Sequence, residues 1–324
     1  RWATSRCCAR RRGGPARTVV WLPSFLGARS LQDLGRLVIL DHILQGDRFE
    51  QYASHLSQVD RIQARALATN QRDSLKVKLR THLEVAYGIT GEPRDAVTSV
   101  LPPDQHLRSL DPTFSPRPPV GADLGKALLD LLDQAFGHQY PAHPDFETEI
   151  KPQLARTLWS QLQPALESQD RRTHLPDAAT RRLVRSVVPA LRLGQTGENS
   201  VALDDHWVRH FHQCMARENV QRPKVAQLRA WMDEPRPMGL PVELKDLIIL
   251  CFAAMTNRHF SINGGPCPVE IGRMADTVEL REQQLPSDND WQAAHSRAAQ
   301  LFGLVPPKVL NAANVGTLVG QVRE

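Results

Sequence analysis

The sequence predicts a mainly α-helical protein with small β elements: a helical strut and a helical bundle, followed by a winged-helix-like module. Three observations predict it. Apolar residues recur at helical spacing through most of the chain. A proline-dense stretch at 89–121 interrupts that periodicity. Gly239 to Arg281 reads as helix, short strand, turn-rich loop and short strand, the order of a winged helix.

Taken in order, residues 1–17 have no period, carry six arginines and end in Gly-Gly-Pro and two more residues, the composition of a disordered basic edge. Thr18 to Pro23 groups β-branched and aromatic residues before a proline and predicts a short buried strand. A helix follows from about Ser30, with Leu31, Leu34, Leu37, Val38 and Ile43 on one side. Asp47 to Leu56 is a further helical run. Ser57 and Asp60 have the spacing of a capping box and Gly88 supplies a stop, which predicts one long helix, a strut or half of a helical hairpin. Seven prolines between Pro93 and Pro119 make 89–121 a linker or an extended strap, since proline neither donates a backbone hydrogen bond nor continues a helix.

Helical patterns resume at Leu124 to Phe136, pass the connector Tyr140 to Phe146, and continue through Leu154, Leu158, Trp159 and Leu162 and from Pro176 to Leu191. From Gly194 the character changes to a turn and a short strand. Next comes a helix with Trp207, Phe211 and Met215 inward, then a short one starting at Pro223 with Val225, Leu228 and Trp231 or Met232 inward. The helix from about Pro241 to Thr256 carries Leu244, Leu247, Ile248, Cys251, Phe252 and Met255 on its buried side. His259 to Ile262 and Thr277 to Leu280 alternate apolar and polar residues around Gly264-Gly265-Pro266. Ser287, with Asp290 three residues on, starts another helix, and a last one begins near Asn311.

Three motifs imitate chemistry. Leu37 to Asp41 has the apolar run and acid of a Walker B strand, but helical periodicity runs through it. Val120 to Ala127 imitates a phosphate loop, yet Gly121 to Gly125 is one residue short and Ala127 replaces the hydroxyl that would hold magnesium. His206, His210 and Cys214 fall at i, i+4 and i+8, a span of about 12 Å, too long for one ion to reach all three. No catalytic, cofactor-binding or metal-ligating residue is therefore assigned. The remaining candidate is a basic cluster, Arg181, Arg182 and Arg185, read first as a solvated helix face and second as a nucleic-acid contact.

The net charge of +5 lies in the edge: without its six arginines, 34 basic residues face 35 acidic ones. That balance argues against a dedicated nucleic-acid binder. Five cysteines, two of them adjacent, are no disulfide framework and fit a reducing cytoplasm. No apolar run approaches the roughly 18 residues of a membrane helix. With Arg as its first residue, the chain reads as a fragment of a longer polypeptide.

Several phrases carry a resemblance. LQDLGRLVILDHIL, HLSQVDRIQARALATNQRDSL, LEVAYGI, QYPAHPDF, LRLGQTGE, LRAWMDEPRPMGLP, DLIILCFAAMTNRHF and LREQQLPSDNDWQAA with NAANV, over residues 18–324, resemble the PglY-like phage-resistance P-loop ATPases of Pgl and BREX systems. The resemblance implies an intracellular anti-phage assembly, with a DNA methyltransferase and an alkaline-phosphatase-like protein among the partners. It implies ATP and magnesium for the parent protein but no cofactor in this segment, which lacks a P-loop and to which no catalytic residue carries over.

The expected organisation is a basic edge at 1–17, strand and strut at 18–88, a Pro-rich linker at 89–121, a helical region at 122–193, the winged-helix-like module at 194–284 and terminal helices at 285–324. The expected role is non-catalytic: coupling an absent nucleotide domain to protein partners. The third helix of the module carries Glu243, Lys245 and Asp246 in its first turns and almost nothing polar afterwards, which suits packing against protein better than reading DNA. DNA binding by the module is the alternative.

Overall fold

The computed structural model describes residues 18–147, 149–305 and 309–323; the basic edge at 1–17 lies outside them. The chain folds as two compact units, the first ending at Gln139 and the second beginning at Tyr140. Among the described residues it is mainly helical, with three small antiparallel sheets.

The first unit is a helical hairpin with a strap. β1 (Val19–Trp21) leads to α1 (Ala28–Leu44), a one-turn α2 (Arg48–Tyr52) and the 29-residue α3 (Gln58–Ala86). The cap at Ser57 is as its spacing predicts: the Asp60 amide donates to the Ser57 hydroxyl at 3.2 Å, and that hydroxyl donates to the Asp60 carboxylate at 2.6 Å. Gly88 ends the helix at φ +76°, and a Cβ there would meet the His106 ring at 2.9 Å. α1 and α3 run antiparallel, since Ser30 meets His82, Asp33 meets Lys78 and Asp41 meets Lys76.

The proline-dense stretch is the strap rather than a free linker. Gly27 donates its amide to the Ala96 carbonyl, Thr98 donates to Phe25, and α4 (Pro103–His106) runs into β2 (Leu107–Ser109), which pairs with β1 in the register Trp21 to Leu107. β1 is half-buried, not buried as its composition predicts, because a two-stranded ribbon covers one face at a time. α5 (Leu124–Gln139) starts where Asp123 accepts the Lys126 amide at 2.9 Å, so the phosphate-loop look-alike is a helix cap.

The main core of the second unit is built around α10 (Val242–Met255). α6 (Pro152–Glu167), α8 (His206–Glu218), α9 (Val225–Trp231) and β6 (Arg258–Ile262) all pack on it. Leu244, Leu247, Ile248, Ile249, Cys251 and Phe252 are buried, on the face the spacing predicts and beyond it. Burying one such side chain contributes about 1.5–3 kcal/mol, so this helix dominates the unit's stability. β3 (Arg172–His174) and β4 (Gly194–Thr196) flank β5 (Ser200–Leu203), with α7 (Ala178–Val187) between β3 and β4 in sequence. Only one short strand was expected here. Three form because Thr173 and Thr196 both pair with the fully buried Val201.

β6 pairs with the two-residue β7 (Gly265–Pro266) and with β8 (Glu279–Glu282). β8 lies two residues later than the alternation predicts, because the Val278 amide closes a turn onto the Ala275 carbonyl. Lys224 bridges Glu279, so the start of α9 also joins this sheet. α11 (Asp288–Phe302), capped by Ser287, and α12 (Ala312–Arg323) share a small core of Trp291, Ala298 and Leu318.

Candidate functional site

In the first unit the candidate is a helix face. α1 turns Ser30, Asp33, Leu37 and Leu40 toward α3, and its buried residues are the polar ones, Ser30 and Asp33. Both are satisfied. The Ser30 hydroxyl donates to the Ala96 carbonyl at 2.8 Å; having a single proton, it accepts from His82 Nδ1, which fixes that ring's tautomer. Asp33 accepts from Lys78 Nζ at 2.6 Å, a hydrogen bond that holds its carboxyl below the ordinary carboxylate value.

The consequence is a correction to the predicted face. Leu31, Leu34 and Val38 do not pack inward; they are exposed at 54%, 40% and 61%, in an i, i+3, i+7 row with Ile39 beside it. Val59 and Ile62 on α3 are exposed too, as are Leu67 and Leu83. Exposed apolar rows of this kind on a folded domain mark interaction surfaces.

In the second unit the polar side chains form a clasp. Asp246 on α10 is fully buried. It accepts from Arg229 Nη2 at 2.6 Å and from the Gly272 amide at 2.8 Å. Arg229 on α9 also reaches the Asp276 carboxylate at 2.6 Å and the Met274 carbonyl at 3.1 Å, so one guanidinium ties two helices to the 263–278 loop. The residue before Asp246, Lys245, donates to Asp233 at 2.6 Å. Burial pushes the Asp233 carboxyl up, but Lys245 and the Met238 and Gly239 amides outweigh it and leave it lowered. Lys245 and Asp246, two of the three charged residues in the first turns of α10, are thus paired inside the unit. Gly239, at φ +60°, lets the preceding turn pass the Tyr140 ring, where a Cβ would come within 2.5 Å.

The arginines singled out from sequence lie on α7. Arg181 donates to the Leu175 and Pro176 carbonyls, and Arg185 to those of Gly197 and Glu198, where it pins the β4–β5 turn. Arg182 points to solvent. His206 and His210 stack, with ring centroids 6.4 Å apart. His210 Nε2 donates to the Trp231 carbonyl at 2.7 Å, so that nitrogen has no lone pair for a metal, and Cys214 is 3.9 Å away. Burial lowers the pKa of His206 and raises that of Cys214. Among the described residues no three His, Cys, Asp or Glu side chains are placed to hold a metal ion. Asp41 of the Walker B look-alike sits in α1, paired with Lys76 at 3.1 Å. No described helix is long and apolar enough to cross a membrane.

Two family models match. Residues 6–140 match the model described as PglY fourth domain, and residues 153–253 the one described as BREX System ATPase PglY protein 5th domain. The first match ends where the first compact unit ends, and the second falls within the second unit. The first also begins at residue 6, inside the stretch that the sequence reads as a disordered basic edge and that lies outside the resemblance over 18–324. No solved structure matches the chain.

Proposed function

Because this chain belongs to the PglY-like proteins of BREX systems, we propose that it is a non-catalytic portion of a BREX phage-defence ATPase that couples a nucleotide domain elsewhere in the parent protein to protein partners. The observation that carries the reading is the outward apolar row of Leu31, Leu34 and Val38, held on a hairpin whose inner face is already satisfied. A rigid antiparallel pair of helices can transmit a displacement at one end to the other.

The second unit supports the same reading. α8, α9 and α10, followed by β6 and β8 with Lys224 bridging to β8, have the element order of a winged-helix-like module. Its third helix packs against α6, α8, α9 and β6 and has no exposed residue after Val242, which argues against its reading a DNA groove. The partners proposed are the methyltransferase and the alkaline-phosphatase-like protein of such systems, in the cytoplasm, with ATP and magnesium acting in the parent protein and not in these residues.

The test is co-purification of the chain with each of those two proteins, for the natural sequence and for Leu34→Glu with Val38→Glu. Capture by the natural sequence and its loss in the double variant is the expected result. ATP hydrolysis by the chain alone, or equal capture by both forms, would overturn the reading. The second reading, DNA binding, is favoured by the solvent-facing Arg182 and has its own test below.

A further inference from the structure

The first residue of β6, Arg258, is a buried cation with few partners. Its side chain is 8% exposed and its guanidinium lies 5.9 Å from the centroid of the Phe252 ring. Nη1 donates to the Gln221 carbonyl at 3.2 Å, and buried Nε has no hydrogen-bond partner among the described residues. The opposite charge is Glu282, 3.9 Å from Nη2, on a side chain that is 77% exposed. Burial holds the Arg258 pKa below the ordinary arginine value, with Glu282 opposing. A guanidinium carries five N–H donors, and burying one without matching acceptors is costly.

This cation lines a cleft of about 580 Å³ together with His212, Asn219, Gln221 and Glu282. We infer that the cleft is a carboxylate-binding site, in which Arg258 receives an acidic side chain or a chain terminus presented by a protein partner. A carboxylate is planar and matches the guanidinium fork with two parallel hydrogen bonds. Its single charge suits the site. A phosphate dianion would bring a second negative charge beside Glu282 and the carbonyl end of α8, whose C-cap is Asn219. Duplex DNA needs a row of cations, and this cleft offers one with an acid at its rim. Glu282 is then the internal occupant that an incoming carboxylate displaces. In giving the carboxylate a protein owner the inference rests on the partner-coupling reading; the binding of a carboxylate does not.

The experiment follows the Arg258 Nε–H resonance of the ¹⁵N-labelled chain, assigned by its loss in Arg258→Lys. The probes are acetate, N-acetylglutamic acid α-amide for a side-chain carboxylate, N-acetylglycine for a terminal one, inorganic phosphate and a short DNA duplex. A saturable shift with the carboxylates is expected, and the stronger of the two amino-acid probes names the source. Glu282→Gln, a change at an exposed position, is expected to tighten carboxylate binding about two- to fivefold, the worth of one exposed ion pair. No saturable shift in either the natural chain or Glu282→Gln would overturn the inference, as would tighter binding of phosphate or duplex DNA at the same resonance. A carboxylate response alongside failed partner capture would sink the coupling reading and leave the site standing.

Discussion

Asp246, fully buried on α10, takes both Nε and Nη2 of Arg229 on its Oδ1, at 3.2 and 2.6 Å. The pair decides how the 263–278 loop is held, because Arg229 also grips Asp276 and Asp246 also grips the Gly272 amide. Removing Arg229 leaves Asp246 fully buried without its cation, which costs about 3–5 kcal/mol, whereas removing Asp246 leaves Arg229 still paired with Asp276 and costs less. Arg229→Ala is therefore expected to lower the unfolding free energy of the second unit, read from urea denaturation, by that much, and Asp246→Ala by less. The double variant should lose less than the two singles added together, measured as a coupling in a double-mutant cycle.

The pair also has a pH signature. Burial raises the Asp246 carboxyl, with Arg229 and the Gly272 amide opposing. A raised acid binds more protons folded than unfolded, so its contribution is greatest below the unfolded carboxylate value and declines as pH climbs through the folded one. In Asp246→Asn that decline should vanish from a plot of unfolding free energy against pH. A decline of unchanged size would assign it to another group.

Asp33 has the opposite sign. The Lys78 hydrogen bond lowers its folded pKa, so its stabilisation is present above the unfolded value of about 3.9 and is lost as pH falls through the folded one. Lys78→Met should cost the hairpin about 1–3 kcal/mol at neutral pH, because it takes the hydrogen bond from a carboxylate whose side chain is 7% exposed and leaves it Arg36 at 3.8 Å. It should also remove that part of the acid transition. Circular dichroism between pH 2 and 6, read at several urea concentrations, separates the two effects.

Leu34→Glu and Val38→Glu test the outward row directly. Neither side chain packs inside its unit, so thermal unfolding should move by no more than about 0.5 kcal/mol. A loss of several kcal/mol would show the row to be core and would withdraw it as an interaction face.

How much of this was legible follows the range of the interactions. Ser57 with Asp60 and Ser287 with Asp290 are contacts three residues long, and both helix starts fall where the sequence puts them. α10 was legible because its apolar spacing and its burial agree. α1 was legible as a helix and misread as to its face. The partners that allow Ser30 and Asp33 to be buried are His82, Ala96 and Lys78, far along the chain, and nothing local announces them. β2 and β3 are three residues each and exist through pairing with β1 and β5. The clasp and the Arg258 cleft were out of reach for the same reason: Arg229 and Asp246 sit 17 positions apart, and an arginine opening a strand reads as a solvated charge until the fold buries it.

The three α7 arginines separate the two functional readings. Arg185 already pins the Gly197 and Glu198 carbonyls, so Arg185→Ala should loosen the β4–β5 turn at a cost of about 1–2 kcal/mol. Arg182, facing solvent, should be neutral within about 0.5 kcal/mol. If this face bound DNA, affinity would fall steeply between about 50 and 200 mM salt, and losing one phosphate contact would flatten the log–log slope by roughly 0.9. The enclosed α10 and the near-equal count of basic and acidic residues beyond the edge argue for the other outcome. The expected result, for the chain without residues 1–17, is weak binding whose salt slope is the same for the natural sequence, Arg182→Ala and the triple Arg181, Arg182 and Arg185 to alanine variant. A steep slope that flattens in Arg182→Ala, with the fold intact by circular dichroism, would make α7 a nucleic-acid contact and move the module from protein coupling to DNA engagement.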